Sequence, residues 1–195
     1  MKWLVSAFEP FNGATSNSSL ITLNELRHRD FSGQVSFHTP VPVTFGGAWQ
    51  NLREVLERSP EIDGVLALGQ AEGRARVSLE CVALNWVDAR TADNAGVIPP
   101  RGPIADGPEL LWSQIPWEKF PDSPLSSRSY SAGTFVCNEI MFHSLEWGKR
   151  NSKLAGFVHI PLLEQQADAC YRHLAKQDRR TIDEVERVLR FLISL

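Results

Sequence analysis

The segment from Gly64 to Gln70 places the strongest constraint on the fold. It reads Gly-Val-Leu-Ala-Leu-Gly-Gln and is almost entirely apolar. A strand that faces solvent on one side alternates apolar and polar residues, whereas a strand covered on both faces is apolar throughout. The preceding segment ends near Pro60 and predicts an amphipathic helix whose apolar face contains Trp49, Leu52, Val55 and Leu56. A strand buried between helices indicates an α/β fold.

The alternation of strands and helices extends along most of the chain. Residues Trp3–Ala7 predict a first strand, and Asn17 offers an N-cap for the helix that follows. Val35–Val43 is again extended, and Leu154–Leu163 forms a second apolar run. Because 195 residues are enough for one substantial core, we expect a single domain over residues 1–195.

Composition excludes several classes of protein. The formal net charge is −3 at pH 7, so no basic surface points to a nucleic-acid partner. No apolar run approaches the roughly 20 residues that span a membrane, and we expect no membrane association. The three cysteines, Cys81, Cys137 and Cys170, do not form a disulfide framework, which favours the reducing cytoplasm. No spacing of histidine, cysteine and carboxylates resembles a metal site, and we expect neither a metal nor a cofactor.

Cys137 precedes a helical pattern in which Met141 and Leu145 recur at four-residue spacing. Backbone N–H groups in the first turn of a helix lack partners, so they can lower a thiol pKa and bind an oxyanion. This position suits a nucleophile. A small buried cysteine that fills a gap in the core is the alternative, and the pattern alone favours that alternative.

Two further residues have the chemistry of acyl transfer. His159 lies at the end of an apolar run, just before Pro161, and Glu80 lies in an otherwise apolar strand pattern. With Cys137 they form the set that a thiol nucleophile requires. A core histidine and a solvent-facing glutamate are the alternatives, and spacing does not decide whether the three residues meet.

Several other residues are candidates by position. Gln70 lies at the carboxyl end of its strand, where open α/β sheets bind ligands. Phe8 and Phe11 lie on a loop, where they either cap the core or face a ligand. Arg90 opens a segment, residues 86–130, that contains seven of the twelve prolines and lacks clear periodicity. Such a segment is typical of a lid, a substrate wall or an oligomer contact.

The C-terminal residues look architectural. One predicted helix has its apolar stripe at Ala167, Cys170, Tyr171 and Leu174. Thr181 and Glu184 then form a capping-box pattern, which predicts that the last helix begins at Thr181.

Five groups of motifs occur in order along most of the chain. They are Phe8-Glu-Pro-Phe11, Gly69-Gln-Ala-Glu-Gly-Arg74 with Glu80, Asp88-Ala-Arg90 with Asp93-Asn94 and Gly96, Ser131–Asn138, and Gly156-Phe-Val-His-Ile-Pro161 with Glu164-Gln165. In this order they resemble the pyroglutamyl peptidase I family, also called the pyrrolidone-carboxylate peptidases. The resemblance implies a cysteine exopeptidase that removes an amino-terminal pyroglutamyl residue from peptides. It also implies one catalytic domain, a three-layer αβα sandwich around a mixed twisted sheet, similar to phosphorylase-like and hydrolase-like folds.

The resemblance implies a role for each candidate. Cys137 would be the nucleophile, His159 the general base and then acid, and Glu80 the residue that orients the imidazole. Arg90 would stabilise the oxyanion. The pocket walls would be Phe8, Phe11 and Phe135, and the polar contacts to the ring amide would come from Gln70, Asn17 and the backbone of Val136. Family members are often dimers or tetramers, so the resemblance allows a homodimer or homotetramer.

Four positions depart from the family pattern: Asn12, Ser18, Glu72 and Cys81. Asn12 and Glu72 stand where glycine is usual, which predicts an altered loop shape at the pocket. Two other functions therefore stay open. One is another Cys–His amidohydrolase, and the other is a ligand-binding homologue that has lost useful catalysis.

Overall fold

A mixed six-stranded sheet forms the centre of the computed structural model, which describes residues 1–38, 40–166 and 178–195. The strands are β1 Trp3–Ala7, β2 Val35–Phe37, β3 Gly64–Gln70, β4 Val77–Glu80, β5 Val82–Leu84, β6 Leu110–Trp112, β7 Ser126–Ser129 and β8 Leu154–Ile160. The sheet has the order β2-β1-β3-β8-β4-β7, and β5 and β6 form a separate antiparallel pair. All pairings within the sheet are parallel except that between β4 and β8.

Helices cover both faces of the sheet. They are α1 Ser18–Leu26, α2 Gly47–Arg58, α3 Val136–Asn151 and α4 Asp178–Ile193. Apolar residues of α1 and α4 pack in one buried cluster, and those of α2 and α3 pack in a second cluster on the other face. The predicted three-layer α/β architecture is therefore confirmed. No helix in the described residues is both long and apolar enough to cross a membrane.

The central strand β3 has the environment that its apolar sequence predicted. Six of its seven residues are buried, and only Gln70, the last, is partly exposed. It lies between β1 and β8, both parallel to it. The predicted N-cap of α1 is also confirmed, because Oδ1 of Asn17 accepts a hydrogen bond of 2.9 Å from the backbone N–H of Ser19.

The sheet register determines which residues meet at its edge. Parallel pairing of β3 with β8 places Gly69 opposite His159. Antiparallel pairing of β4 with β8 places Glu80 opposite Phe157 and Ser78 opposite His159. Glu80 therefore reaches the histidine from the neighbouring strand, although the two residues are 79 positions apart in sequence.

Some boundaries predicted from sequence were wrong. The last helix begins no later than Asp178, so Thr181 lies inside it, and the Glu184 carboxylate accepts from Ser126 instead of capping the helix. The strand pattern that contains Glu80 ends at that residue, because β4 joins the large sheet while β5, which begins at Val82, pairs with β6. The helix predicted around residues 167–174 lies outside the described residues.

Candidate active site

A cavity of about 370 Å³ opens where the carboxyl ends of β3 and β8 meet the start of α3. It brings together most residues that the sequence singled out. Its lining includes Phe8, Phe11, Asn17, Gln70, Phe135, Cys137 and His159. Asn12, Ala14, Val43, Glu72 and Ala132 complete the wall. Aromatic, polar and nucleophilic side chains therefore share one concave site, as expected for a small-molecule pocket.

His159 and Glu80 form a buried hydrogen-bonded pair. Nδ1 of His159 lies 2.7 Å from Oε1 of Glu80, and the glutamate side chain has no exposed surface. When Nδ1 carries the proton it donates to the carboxylate, which leaves Nε2 unprotonated and able to accept a proton. Glu80 is thus neither solvent-facing nor unpaired. The arrangement is that of a general base held by an orienting carboxylate.

Cys137 lies in the first turn of α3 and is partly buried. Burial, and after it the negative charge of Glu80, raise the pKa of the Cys137 thiol to about 12, although its own backbone N–H acts in the opposite direction. The helix position alone predicted a lowered pKa, but burial has the larger effect. A thiol of this kind does not ionise unaided near neutral pH, so its proton must pass to a base as it reacts.

Aromatic rings surround the open part of the cavity. The ring centroids of Phe11 and Phe135 are 5.3 Å apart, and Phe45 packs edge-on against Phe135 at 5.1 Å. Phe8 is almost fully buried beneath them. Sequence analysis did not single out Phe45, whose backbone N–H donates to Asp93 at 2.9 Å. The Asp93 motif thus positions an aromatic residue beside the pocket.

Two polar residues of the wall are held by neighbours. Oε1 of Gln70 accepts from the backbone N–H of Ser18 and from Nε2 of Gln166, both at 2.8 Å. Its Nε2 donates to Glu72 at 3.3 Å. The side chain of Asn17 accepts from Ser19 while it caps α1. The orientation of both amides is therefore fixed before any ligand binds.

Comparison with known proteins agrees with this geometry. The family model for pyroglutamyl peptidase matches residues 1–174. The chain belongs to this family. The resemblance inferred from the motifs is confirmed, and the protein is a cysteine peptidase of the pyroglutamyl peptidase I type.

Two sequence relatives within the pyroglutamyl peptidase family come from Erwinia tasmaniensis and Caldanaerobacter subterraneus. The pyrrolidone-carboxylate peptidase of Erwinia tasmaniensis is 38% identical over 172 residues, which cover 85% of this chain and 80% of the relative. Pyrrolidone-carboxylate peptidase 1 of Caldanaerobacter subterraneus is 38% identical over 177 residues, with 85% of each chain covered.

Solved structures of pyroglutamyl peptidases have the same fold. Pyrrolidone carboxyl peptidase of Pyrococcus furiosus superposes with a TM-score of 0.87 at 30% identity, covering 100% of this chain and 99% of that one. Pyroglutamyl peptidase I of Bacillus amyloliquefaciens gives 0.85 at 27% identity, covering 95% and 93%. The fold predicted from the motifs is thereby confirmed.

Two departures from the usual pyroglutamyl peptidase pattern lie at the cavity. Asn12 has φ of 55°, a left-handed conformation that glycine adopts freely and that asparagine tolerates better than most residues. Glu72 is not among the described non-glycine residues with positive φ, whereas the next residue, Gly73, has φ of 77°. The backbone of each loop therefore accommodates its substitution, and what Glu72 adds to the pocket is a carboxylate.

Two predicted site residues of this pyroglutamyl peptidase lie away from the cavity surface. Arg90 is exposed and makes no hydrogen bond or ion pair with any residue that the structure describes. Val136 is fully buried, so only its backbone is available at the start of α3. Arg74, which belongs to one of the sequence motifs, instead lies beside the carboxylate of Glu80, with Nη2 3.3 Å from Oε1. In residues 1–38, 40–166 and 178–195 no group of three or more metal-ligating side chains is close enough to hold a metal ion.

Proposed function

We propose that the protein is an exopeptidase that hydrolyses the amide bond after an amino-terminal pyroglutamyl residue, with Cys137, His159 and Glu80 as its catalytic residues. The observation that carries the proposal is the buried 2.7 Å pair between His159 and Glu80 in the cavity that also contains the Cys137 thiol. Peptides that begin with pyroglutamate are the proposed substrates. A cytoplasmic location and a homodimer or homotetramer remain predictions.

The cavity suits a pyroglutamyl ring. This five-membered lactam is neutral and flat, so its body packs well against the rings of Phe11 and Phe135, which contact each other in the pocket wall. The lactam N–H and carbonyl need polar partners, which Gln70 and the carboxyl end of β3 supply. A free amino terminus would enter as a cation and lose its hydration against the aromatic part of the pocket, because the Glu72 carboxylate lies at the exposed part of the wall. Selectivity thus comes from rejection of charged termini as well as from attraction of the ring.

Acylation begins with a proton transfer. As Sγ of Cys137 attacks the pyroglutamyl carbonyl, its proton passes to Nε2 of His159, and the carbonyl electron pair moves onto oxygen. This coupling allows the thiol to react at neutral pH despite its pKa of about 12. Glu80 stabilises the imidazolium through its hydrogen bond to Nδ1. The resulting oxyanion accepts hydrogen bonds from N–H groups in the first turn of α3, with Arg90 as an additional candidate that would have to turn inward.

Acylation ends when the tetrahedral intermediate collapses to a thioester: the bond to the leaving amine breaks, and the imidazolium of His159 gives its proton to that amine. Deacylation uses the same residues. Water then enters, loses a proton to Nε2 and attacks the thioester. Collapse of the second intermediate expels the Cys137 sulfur, which regains its proton, and releases pyroglutamate. No redox partner or metal takes part in these steps.

The test compares three chromogenic amides, pyroglutamyl, prolyl and glutaminyl, in the wild type, Cys137→Ala and Cys81→Ala. We expect turnover of the pyroglutamyl amide only, loss of turnover by at least about 10³-fold in Cys137→Ala, and little change in Cys81→Ala. Circular dichroism of each variant confirms that it is folded.

Other results would favour the alternatives. Preferred turnover of another amide would identify a different Cys–His amidohydrolase. Tight binding of pyroglutamyl peptides by calorimetry without turnover would identify a ligand-binding homologue. Activity that persists in Cys137→Ala would overturn the proposed mechanism.

A further inference from the structure

The carboxylate of Glu80 has an unusual environment for a group that has no exposed surface. Its Oε1 is shared between Nδ1 of His159 at 2.7 Å and Nη2 of Arg74 at 3.3 Å. Its Oε2 is also buried and has no hydrogen-bond partner among the described residues. A buried carboxylate with so few partners is strongly destabilised as an anion unless a cation lies nearby. Among the described lysines and arginines, Arg74 is the only one in an ion pair with Glu80.

Arg74 is itself held on three sides. Its Nη1 donates to the hydroxyl groups of Ser78 at 3.1 Å and Ser129 at 2.8 Å, and its Nη2 donates to the carbonyl oxygen of Ser131 at 2.8 Å. These partners belong to β4, to β7 and to the segment that leads into α3. One guanidinium therefore connects the strand of the catalytic carboxylate with the chain that carries the nucleophile. A lysine supplies the same charge but not this planar fork of donors.

On the basis of the function proposed above, we propose that Arg74 is a positioning residue for the catalytic set. Its ion pair holds the Glu80 carboxylate against His159, and its bond to Ser131 fixes the segment before Cys137 relative to that carboxylate. Arg74 is not among the residues that line the cavity, so its effect on catalysis passes through Glu80 and through the backbone of this segment.

The charge of Arg74 predicts a change in pH dependence. The titratable groups around Glu80 are His159 on β8, Cys137 on α3 and Cys81 next to it in the chain, and Arg74 is the permanent cation that pairs with it. When that cation is removed, the neutral form of the carboxyl becomes more favourable. A neutral carboxyl does not stabilise the imidazolium, so higher pH is needed for activity.

The experiment measures kcat and KM for a pyroglutamyl amide between pH 5.5 and 9 in Arg74→Gln, Arg74→Lys and Arg76→Gln. Arg76 is exposed and makes no ion pair in the described part of the chain. Arg76→Gln is therefore a matched control, because it removes the same charge two residues from Arg74. We expect kcat in Arg74→Gln to fall by about 10- to 100-fold, with KM changed less than about threefold and the acid limb moved up by about one pH unit. Arg74→Lys keeps the acid limb near that of the wild type but regains only part of kcat, and Arg76→Gln resembles the wild type.

Several results would overturn the proposal. An unmoved acid limb in Arg74→Gln would show a merely structural role, and so would equal effects of Arg74→Gln and Arg76→Gln. If Arg74→Gln does not fold, two single variants, Arg74→Lys and Ser129→Ala, replace it. Ser129→Ala removes one anchor and keeps the charge, so a shifted acid limb there, or wild-type kcat in Arg74→Lys, would count against the proposal.

A substrate-free measurement separates this proposal from the proposed function. Alkylation of Cys137 by iodoacetamide needs the His159–Glu80 pair but no peptide substrate. If the wild type turns over no pyroglutamyl amide, the proposed function fails, while the role of Arg74 is still decided by this reaction. We expect alkylation at pH 7 to be at least about threefold slower in Arg74→Gln than in Arg76→Gln, because the imidazolium–thiolate pair loses its carboxylate support. Equal rates would refute the proposal.

Discussion

Replacement of Gly69 by alanine tests the packing behind the nucleophile. Gly69 lies on β3 directly opposite His159 in the sheet. A Cβ at this position would lie 2.7 Å from Cζ of Phe157 and 3.1 Å from Sγ of Cys137. The first distance is about 0.8 Å shorter than the roughly 3.5 Å at which two carbon atoms attract each other best. The ring, the sulfur or the strand must therefore move.

The surrounding packing determines how large the effect is. The Phe157 ring is fully buried, and its centroid lies 4.8 Å from that of His159 and 6.4 Å from that of Phe8. The ring therefore has little room to move without displacing the imidazole. Overpacking of this kind lowers the free energy of unfolding by about 1–3 kcal/mol. A displacement of about 1 Å between reacting groups lowers the rate by about 10²-fold, so we expect such a loss in kcat/KM, mainly through kcat.

The assay compares Gly69→Ala with Gly102→Ala, using kcat and KM for a pyroglutamyl amide together with denaturant unfolding. Gly102 is a matched control because no heavy atom lies within 4 Å of an added Cβ and its φ is not positive. We expect near-wild-type values in the control. Wild-type kcat/KM in a folded Gly69→Ala would refute the reasoning, because it would mean that the thiol and the Phe157 ring do not constrain this position.

Three further predictions concern ionisable groups. An isolated thiol with a pKa of about 12 is ionised to only about one part in 10⁴ at pH 8. We therefore expect His159→Asn to slow the alkylation of Cys137, measured by mass spectrometry, by at least about tenfold. An unchanged rate would contradict the role of His159 as the base. Burial lowers the pKa of His143, so the unfolded chain binds a proton more readily than the folded protein does. The free energy of unfolding therefore falls as pH decreases through about 6.5. His143→Phe should make that free energy, measured by denaturant titration, depend less on pH, and an unchanged dependence would contradict the assignment. Glu72 puts a carboxylate at the exposed part of the pocket wall, which favours a peptide with lysine after the pyroglutamyl residue over one with glutamate there. At low salt, we expect the ratio of kcat/KM for the lysine peptide to that for the glutamate peptide to fall several-fold in Glu72→Gln. A ratio that does not respond to the substitution or to salt would exclude this effect.

The periodicity of the chain predicted most of the elements correctly. Trp3–Ala7 and Gly64–Gln70 are strands at the predicted residues, and the helix after Phe135 carries Cys137 in its first turn. These patterns are reliable because the spacing of apolar residues along a helix or strand depends directly on whether one or both of its faces are buried. The wrong boundaries have the same physical origin. Thr181 has the composition of a cap, but the helix includes Asp178, and the Glu184 carboxylate accepts from Ser126 of β7 instead of capping the helix.

The sequence by itself determined the α/β class and the central strand, and its motifs singled out Cys137, His159 and Glu80 as candidates for the nucleophile, the base and the orienting carboxylate. Only the tertiary structure decided that Glu80 reaches His159, because this depends on an antiparallel pairing of β4 with β8 that periodicity does not record. It also decided that burial raises the Cys137 pKa and that Arg74, not Arg90, lies beside the Glu80 carboxylate. Desolvation and charge pairing depend on distances between residues far apart in sequence, and those distances exist only once the layers have packed.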